Sequence, residues 1–405
     1  MTFRTALSGL NAASSDLSAT ANNIANNGTA GFKLSRAQFG DIYAASALGT
    51  SSNAIGSGVR LTSVAQQFSQ GNTNFTSNNL DLAINGKGFF RLNNNGATVY
   101  SRAGAFATNS SGYIVNSDNQ RLTGFLADST GTITGAKGDL QIATEDIAPT
   151  ATTTATVGIN LAASASIPAG AFSPTDPTTY NNSTSTTVYD SLGASHLATL
   201  YYKKTAANTW SNYLYVDGTA AGGANALVFS SSGALTTPAA PGNIGPIAVP
   251  AGVTGGAAAL SLTFNYSNST QFGSTFGVNS LTQNGFTTGR LSGVDIDSSG
   301  VLFARYSNGQ SRALGQLALT NFTNAQGLRP LGNTSWAESF SSGAALDGAP
   351  GSASLGVIQS GALEGSNVDI TEQLVNMITA QRNFQANAQV ITTFDSVTQS
   401  IINIR

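Results

Sequence analysis

The chain has no cysteine. That excludes disulfides, thiol nucleophiles and cysteine-based zinc sites, and it suits an exposed protein that does not depend on oxidation for stability. Histidine occurs once, at His196, and charged residues make up only 9% of 405 positions, with a formal net charge of −2. No basic patch offers an electrostatic footprint for nucleic acid or anionic lipid, and a surface this poor in charge favours association. Nowhere is there a run of about 18 apolar residues, so no membrane insertion is expected. The opening MTFRTALSGLNAASSDL lacks the continuous apolar stretch of a signal peptide, and by these signals alone the chain reads as cytoplasmic.

What is present begins at the two ends. In DITEQLVNMITAQRNFQANAQVITTFDSVTQSIINIR (369–405), Leu374, Met377, Phe384, Ala388, Ile391, Phe394, Val397, Ile401 and Ile404 advance in steps of three or four, with Gln381 filling one gap. That is the spacing of one helix face. Asp369 followed by Glu372 resembles a capping box, and about 35 residues at 1.5 Å each predict a helix of roughly 50 Å. At the other end Phe3, Leu7, Leu10, Ser14, Leu17, Ala21 and Ile24 follow a heptad rhythm, and Asn26-Asn27-Gly28 supplies a stop. Each seam needs a partner: the two ends pack against each other, against copies of themselves, or over a shared globular core.

Between the ends the texture is β. Residues 31–70 read as an extended connector with some strand around Val59 to Val64, and 80–92 as a hairpin turning at Asn85-Gly-Lys-Gly88. Further turns are expected at 109–112 and 129–131. Proline is absent before Pro149, and eight of the ten prolines fall between 149 and 250, which marks a separate loop-rich β region. Its clearest strands are 186–190, 197–203 and 210–216, with Tyr213 and Tyr215 on one face and Leu214 and Val216 on the other. Strand texture resumes at 291–306, 314–322 and 354–363. The fold class expected is mainly β with α-helical termini: two nested β domains plus a helical coiled-coil domain formed by both chain ends. The boundaries are 1–30 for the first helix, 31–70 for the connector, 71–146 and 285–363 for the two parts of the host β domain, 147–284 for the inserted one, and 364–405 for the last helix. Nesting of this kind brings both termini to one end.

Candidate chemistry is sparse. Asp295-Ile-Asp297-Ser-Ser299-Gly300 imitates the opening of a calcium loop, but Tyr306 stands where the bidentate glutamate is wanted, so a polar hairpin turn is expected and no metal. Glu145 and Asp146 are expected to be a solvated junction. His196 has no nucleophile elbow beside it, and Gly86-Lys87-Gly88 is too short to cradle phosphate. No catalytic, cofactor or metal site emerges, and that silence favours a structural protein over an enzyme.

SGLNAASSDLSATANNIANNGTAGFK (8–33) and GALEGSNVDITEQLVNMITAQRNFQANAQVITTFDSVTQSIINIR (361–405) resemble the N- and C-terminal signatures of the bacterial flagellar axial proteins, the rod and hook family. Three further segments, 68–92, 183–204 and 289–339, are similar to the hook members rather than the rod members. The resemblance is thin at 40–55, 150–182 and 218–280. It implies a self-assembling subunit of a curved, flexible helical tube, a universal joint carrying motor torque from rod to filament. The terminal helices would form an inner coiled-coil tube, the first β domain would surround it, and the inserted domain would lie outermost. The self-assembly seam is then Phe3, Leu7, Leu10, Leu17, Ile24, Leu374, Met377, Phe384, Ile391, Phe394, Ile401 and Ile404. The resemblance also implies many copies of itself, rod and hook–filament junction proteins, a hook cap and the flagellar export apparatus as partners. It replaces the cytoplasm by an extracellular place, reached without a cleaved signal peptide. Other readings are a distal rod protein of the same family, a secreted β-rich adhesin, and a polysaccharide-acting enzyme lacking placeable paired carboxylates.

Overall fold

The computed structural model describes residues 2–43, 56–143 and 145–403, and the chain divides into two compact units. One comprises 1–144, 293–305 and 311–405, the other 145–292 and 306–310.

The first unit holds both terminal helices, α1 (Thr2–Ala25) and α2 (Ile370–Asn403). Asp369 caps α2: its Oδ1 accepts the backbone N–H of Thr371 at 2.8 Å and of Glu372 at 3.2 Å, which satisfies two of the first turn's free donors. The stretch expected to be an extended connector instead forms a two-stranded hairpin, Ser35–Asp41 against Val59–Gln66, lying along α1. A lone hairpin is marginal in water, and α1 supplies the missing face, with Ala37 buried and the Val59 N–H donating to Ser8 Oγ at 3.1 Å. Residues 44–55 lie outside the described residues.

Beyond the helices the chain builds an antiparallel sheet with the path Ser311–Leu317, Arg121–Ala127, Phe89–Asn94, Ala97–Ser101, Ser335–Ala337, Arg329–Gly332. Its core sets Phe89, Tyr100, Phe322, Leu328 and Trp336 together, with edge-on ring contacts at 4.8 to 6.0 Å. The hairpin expected at 80–92 does not form. Leu82–Asn85 pairs with Val357–Ser360, and Phe89–Asn94 turns back on Ala97–Ser101. The cause is the backbone at Gly86, where φ is +118° and both polar groups are engaged: its N–H donates to Gln70 Oε1 at 3.0 Å and its carbonyl accepts from Arg102 Nη2 at 2.7 Å. Thr73–Phe75 pairs with Ala362–Glu364, so the chain enters and leaves the β region side by side and delivers its two ends to one place.

The second unit carries two five-stranded sheets. One is an antiparallel meander through Asn182–Tyr189, Ser195–Ala206, Thr209–Val216, Thr219–Phe229 and Leu235–Thr237. The other centres on Thr154–Ala162, parallel to Ser261–Asn265 and Thr270–Phe272 and antiparallel to Gly277–Gln283. Strand Thr209–Val216 alternates strictly: Trp210, Leu214 and Val216 enter a core with Tyr202, Phe264 and Tyr266, while Tyr213 and Tyr215 face out, where Phe172 stacks on Tyr213 at 3.9 Å. Bridges of Ile147 with Gly289 and Thr150 with Phe286 bring the ends of this unit together, the arrangement of an insertion.

Candidate self-assembly surface and its anchorage

The terminal helices pair antiparallel: Phe3 meets Phe394 with ring centroids 6.1 Å apart, Gly9 lies against Asn387, and Asn23 reaches Gln373. Small residues make the contact close. Ala6, Ala13 and Thr20, seven apart, are the buried positions of α1 together with Asn23, and Ala380 and Gln373 are those of α2. A side chain at Gly9 would place its Cβ 2.5 Å from Asn387 Oδ1, so a larger residue there would have to turn the Asn387 side chain aside. Near the far end the buried Asn23 amide donates to the Ser35 carbonyl at 2.8 Å and to Gln373 Oε1 at 3.2 Å, while its Oδ1 accepts the Ser35 N–H at 2.9 Å. A buried, satisfied amide of this kind fixes register.

Of the large apolar residues that the heptad reading singled out, Phe3 and Phe394 meet each other, and none of those among the described residues is fully buried within the chain. Phe3, Leu7, Leu374, Phe394 and Ile401 are exposed, and Leu10, Leu17, Ile24, Met377, Phe384 and Ile391 are half-buried. Ile404 lies outside the described residues. Since Phe3 aligns with Phe394, α2 continues past the start of α1, and every residue from 392 to 403 is exposed, including Val397, Ile401 and Ile402. A shallow groove of about 540 Å³ runs here between Ala386 and Val397. Despite this apolar surface, no helix among the described residues is long and apolar enough to cross a membrane.

The helices are tied to the β region by a buried ionic cluster that sequence reasoning missed. Glu364 Oε1 accepts Lys33 Nζ at 2.6 Å and the Gly71 N–H at 3.0 Å, and Oε2 accepts Arg102 Nη1 at 3.1 Å. The Lys33 and Glu364 side chains are 0% exposed and that of Arg102 4%. Lys33 also donates to the Ser69 carbonyl at 2.8 Å, and the Glu364 carbonyl accepts the Gly31 N–H at 2.8 Å. Burial pulls the Lys33 ammonium and the Arg102 guanidinium below their ordinary values, with Glu364 opposing in both cases. One carboxylate thus gathers the segment that follows α1, the segment that follows the hairpin, the β region and the strand before α2. Backbones crowd here as well: a Cβ at Gly71 would fall 2.1 Å from the Gly365 carbonyl oxygen.

The remaining sequence candidates are structural. Asp297 Oδ1 accepts Ser299 Oγ at 2.7 Å and the Val301 N–H at 2.9 Å, closing a hairpin turn, and Asp295 pairs with Arg305. Asp146 lies 3.9 Å from Arg290 on the surface. His196 sits between two carboxylates, with Nδ1 2.8 Å from Asp217 and Nε2 3.4 Å from Asp190. Burial disfavours its charge, but both acceptors face ring nitrogens and raise its pKa above the ordinary 6.5. The folded-state value being the higher, the stabilisation is complete below pH 6.5 and is lost as pH rises from there through the raised folded-state value. The melting temperature of the inserted unit should therefore fall over that interval, and His196→Gln should flatten the profile; an unaltered slope in the variant refutes this.

Four family descriptions match. These are "Flagella basal body rod protein" over residues 3–33, "Flagellar hook protein FlgE/F/G D1 domain" over 83–169, "Flagellar basal body protein FlaE D2 domain" over 160–286 and "Flagellar basal body rod FlgEFG protein C-terminal" over 359–404. The flagellar hook protein FlgE of Salmonella typhimurium is 38% identical over 418 residues, covering 100% of both chains, and that of Escherichia coli K12 is 38% identical over 416 residues. The FlgE of Borreliella burgdorferi is 32% identical across 98% of each chain. Among solved structures, the Helicobacter pylori hook protein FlgE2 has the same fold at a TM-score of 0.54 and 15% identity, covering 72% of this chain and 100% of that one. With full-length identity at this level and rod- and hook-type segments matched from Phe3 to Ile404, the chain belongs to the flagellar hook protein family.

Proposed function

We propose that many copies of this chain polymerise through their terminal helices into the flagellar hook, a curved, flexible tube that carries motor torque from rod to filament. The subunit is structural and performs no catalysis. The observation that carries this reading is the unpaired end of α2, where Val397, Ile401 and Ile402 stand in water although each favours burial. In the assembled tube, Phe3, Leu7, Leu10, Leu17 and Ile24 of α1 and Leu374, Met377, Phe384, Ile391, Phe394, Ile401 and Ile404 at the other end face neighbouring copies. Residues 71–146 with 285–363 act as the host β domain and 147–284 as a separable insert. Rod, junction and cap proteins contact the growing polymer, and the subunit leaves the cell through the flagellar export apparatus with no cleaved signal peptide. A chain without cysteine suits a route travelled unfolded, since no cross-link can trap it.

Electron microscopy of purified chain grown on sheared hook seeds tests the reading: curved tubes are expected. A variant lacking 147–284 should still assemble, into straight or abnormally curved tubes, because an insert whose ends meet leaves its host intact when removed. Persistent monomers of the parent chain on such seeds would sink the proposal.

A further inference from the structure

Asparagine is followed by glycine five times, at Asn27, Asn85, Asn95, Asn284 and Asn308. The pair is chemically labile, because a glycine nitrogen with no side chain beside it can reach the amide carbon of the preceding residue. Four of the five glycine N–H groups are already engaged. Gly86 donates to Gln70 Oε1 at 3.0 Å, Gly96 to Asn93 Oδ1 at 2.7 Å, Gly285 to Gln283 Oε1 at 2.5 Å and Gly309 to the Tyr306 carbonyl at 3.0 Å. Two of the asparagine side chains are held as well. Asn284 Oδ1 accepts the N–H groups of Thr153 and Thr154 at 3.0 Å, and the Asn308 amide donates to the Thr287 carbonyl at 2.7 Å.

Asn27-Gly28 is different. It sits in the turn that ends α1, where the Asn27 N–H donates to the Ile24 carbonyl at 3.3 Å and the Thr29 N–H to the Asn26 carbonyl at 3.2 Å. Among the described residues, neither the Gly28 N–H nor the Asn27 side chain has a hydrogen-bond partner. Gly28 is exposed, so water and hydroxide reach its amide, and no atom lies within 4 Å of the place a Cβ would take. Nothing there crowds the ring that the Gly28 nitrogen would close on the Asn27 side chain.

We infer that Asn27 is a modification site of the folded subunit, deamidated spontaneously through the free Gly28 nitrogen. That nitrogen gives its proton to hydroxide and attacks Asn27 Cγ. The new C–N bond closes a succinimide, the Cγ–Nδ2 bond breaks, and Nδ2 leaves as ammonia. Water then opens the ring at either carbonyl, which leaves an aspartyl or an isoaspartyl linkage at position 27 and oxidises nothing. Both products bear on the joint between α1 and the β region. A carboxylate at the C-terminal end of α1 opposes the helix dipole. The isoaspartyl form also inserts one carbon into the main chain ahead of Lys33, whose ammonium is fixed on Glu364 at 2.6 Å.

Full-length chain held in mildly alkaline buffer made with heavy-oxygen water provides the test. Trypsin cleavage after Arg4 and Lys33 releases a peptide with no other asparagine–glycine pair, and mass spectrometry reads the replacement of its amide NH2 by labelled OH. Position 27 should convert about fivefold or more faster than positions 85, 95, 284 and 308, whose glycine N–H groups must first give up a hydrogen bond. In denaturant the five positions should convert at similar rates, because the selectivity comes from the fold. Gly28→Ala, which the open surroundings accept, should keep the parent's melting temperature and slow conversion at position 27. If position 27 stays intact in the native chain, or if all five convert equally there, the inference falls. Selectivity that survives in denaturant would trace to local sequence and overturn the role given to the fold.

Discussion

Glu364→Gln is expected to destabilise the helix-bearing unit by about 3–5 kcal/mol, which lowers its melting temperature by roughly 10 °C. The carboxylate is the acidic partner of both Lys33 and Arg102, and all three side chains are cut off from water. An amide of the same shape leaves two buried cations without a counter-charge and turns one acceptor into a donor that faces them. Removing one partner of a buried ionic group is far costlier than removing the whole group, since the desolvation penalty stays while the attraction goes. A second substitution makes the argument specific. Lys33→Met deletes one stranded cation, so the double variant Lys33→Met, Glu364→Gln should recover part of the loss. Calorimetry of the single and double variants decides it: losses that simply add would show that Glu364 matters for shape alone. The cluster ties the segments that lead to and from both terminal helices to the β region, so on the proposed function it lies where load would pass between them.

Much of the architecture is legible in the sequence, and the reasons are physical. A period near 3.5 or 3.6 in the last 35 or so residues has few other readings, and strand alternation at Trp210 to Val216 assigns its faces correctly. What failed were inferences that treated local pattern as sufficient. Leu82–Asn85 and Phe89–Asn94 look like a hairpin around two glycines, yet Arg102 and Gln70 hold the Gly86 backbone so that the strands part company. The hairpin of 35–41 with 59–66 lacks a strong pattern because α1 covers it through small residues such as Ala37 and Ser8. The small residues of the helix contact are not legible in the heptad pattern for a similar reason. Heptad reasoning looks for large apolar residues, whereas two helices that approach closely need small ones, here Ala6, Gly9 and Ala13. Glu364 left one usable signal: in a chain only 9% charged, an acid set between Leu363 and Gly365 has few exposed reasons to be there.

Replacing Val397 or Ile401 by Asp should abolish polymerisation while leaving the monomer's melting temperature nearly unchanged. Both residues lie on the part of α2 that extends past Phe3 and are exposed, at 51% and 64%, so a carboxylate there is solvated at little cost in the isolated chain. Between copies the same carboxylate would be buried without a partner, a penalty of several kcal/mol that recurs in every subunit of the tube. Leu17 offers the contrast. It is half-buried on α1, so Leu17→Asp should lower monomer stability as well as assembly and could not separate the two effects. Ala13→Leu acts in the opposite sense: it forces bulk into a buried small-residue position, should cost the monomer about 1–3 kcal/mol, and would weaken assembly only through that loss. Thermal unfolding of each monomer, measured beside sedimentation after seeding, distinguishes these cases. A Val397→Asp or Ile401→Asp subunit that sediments like the parent would show that the free end of α2 remains in water within the tube, and the inner seam would then have to be sought on α1.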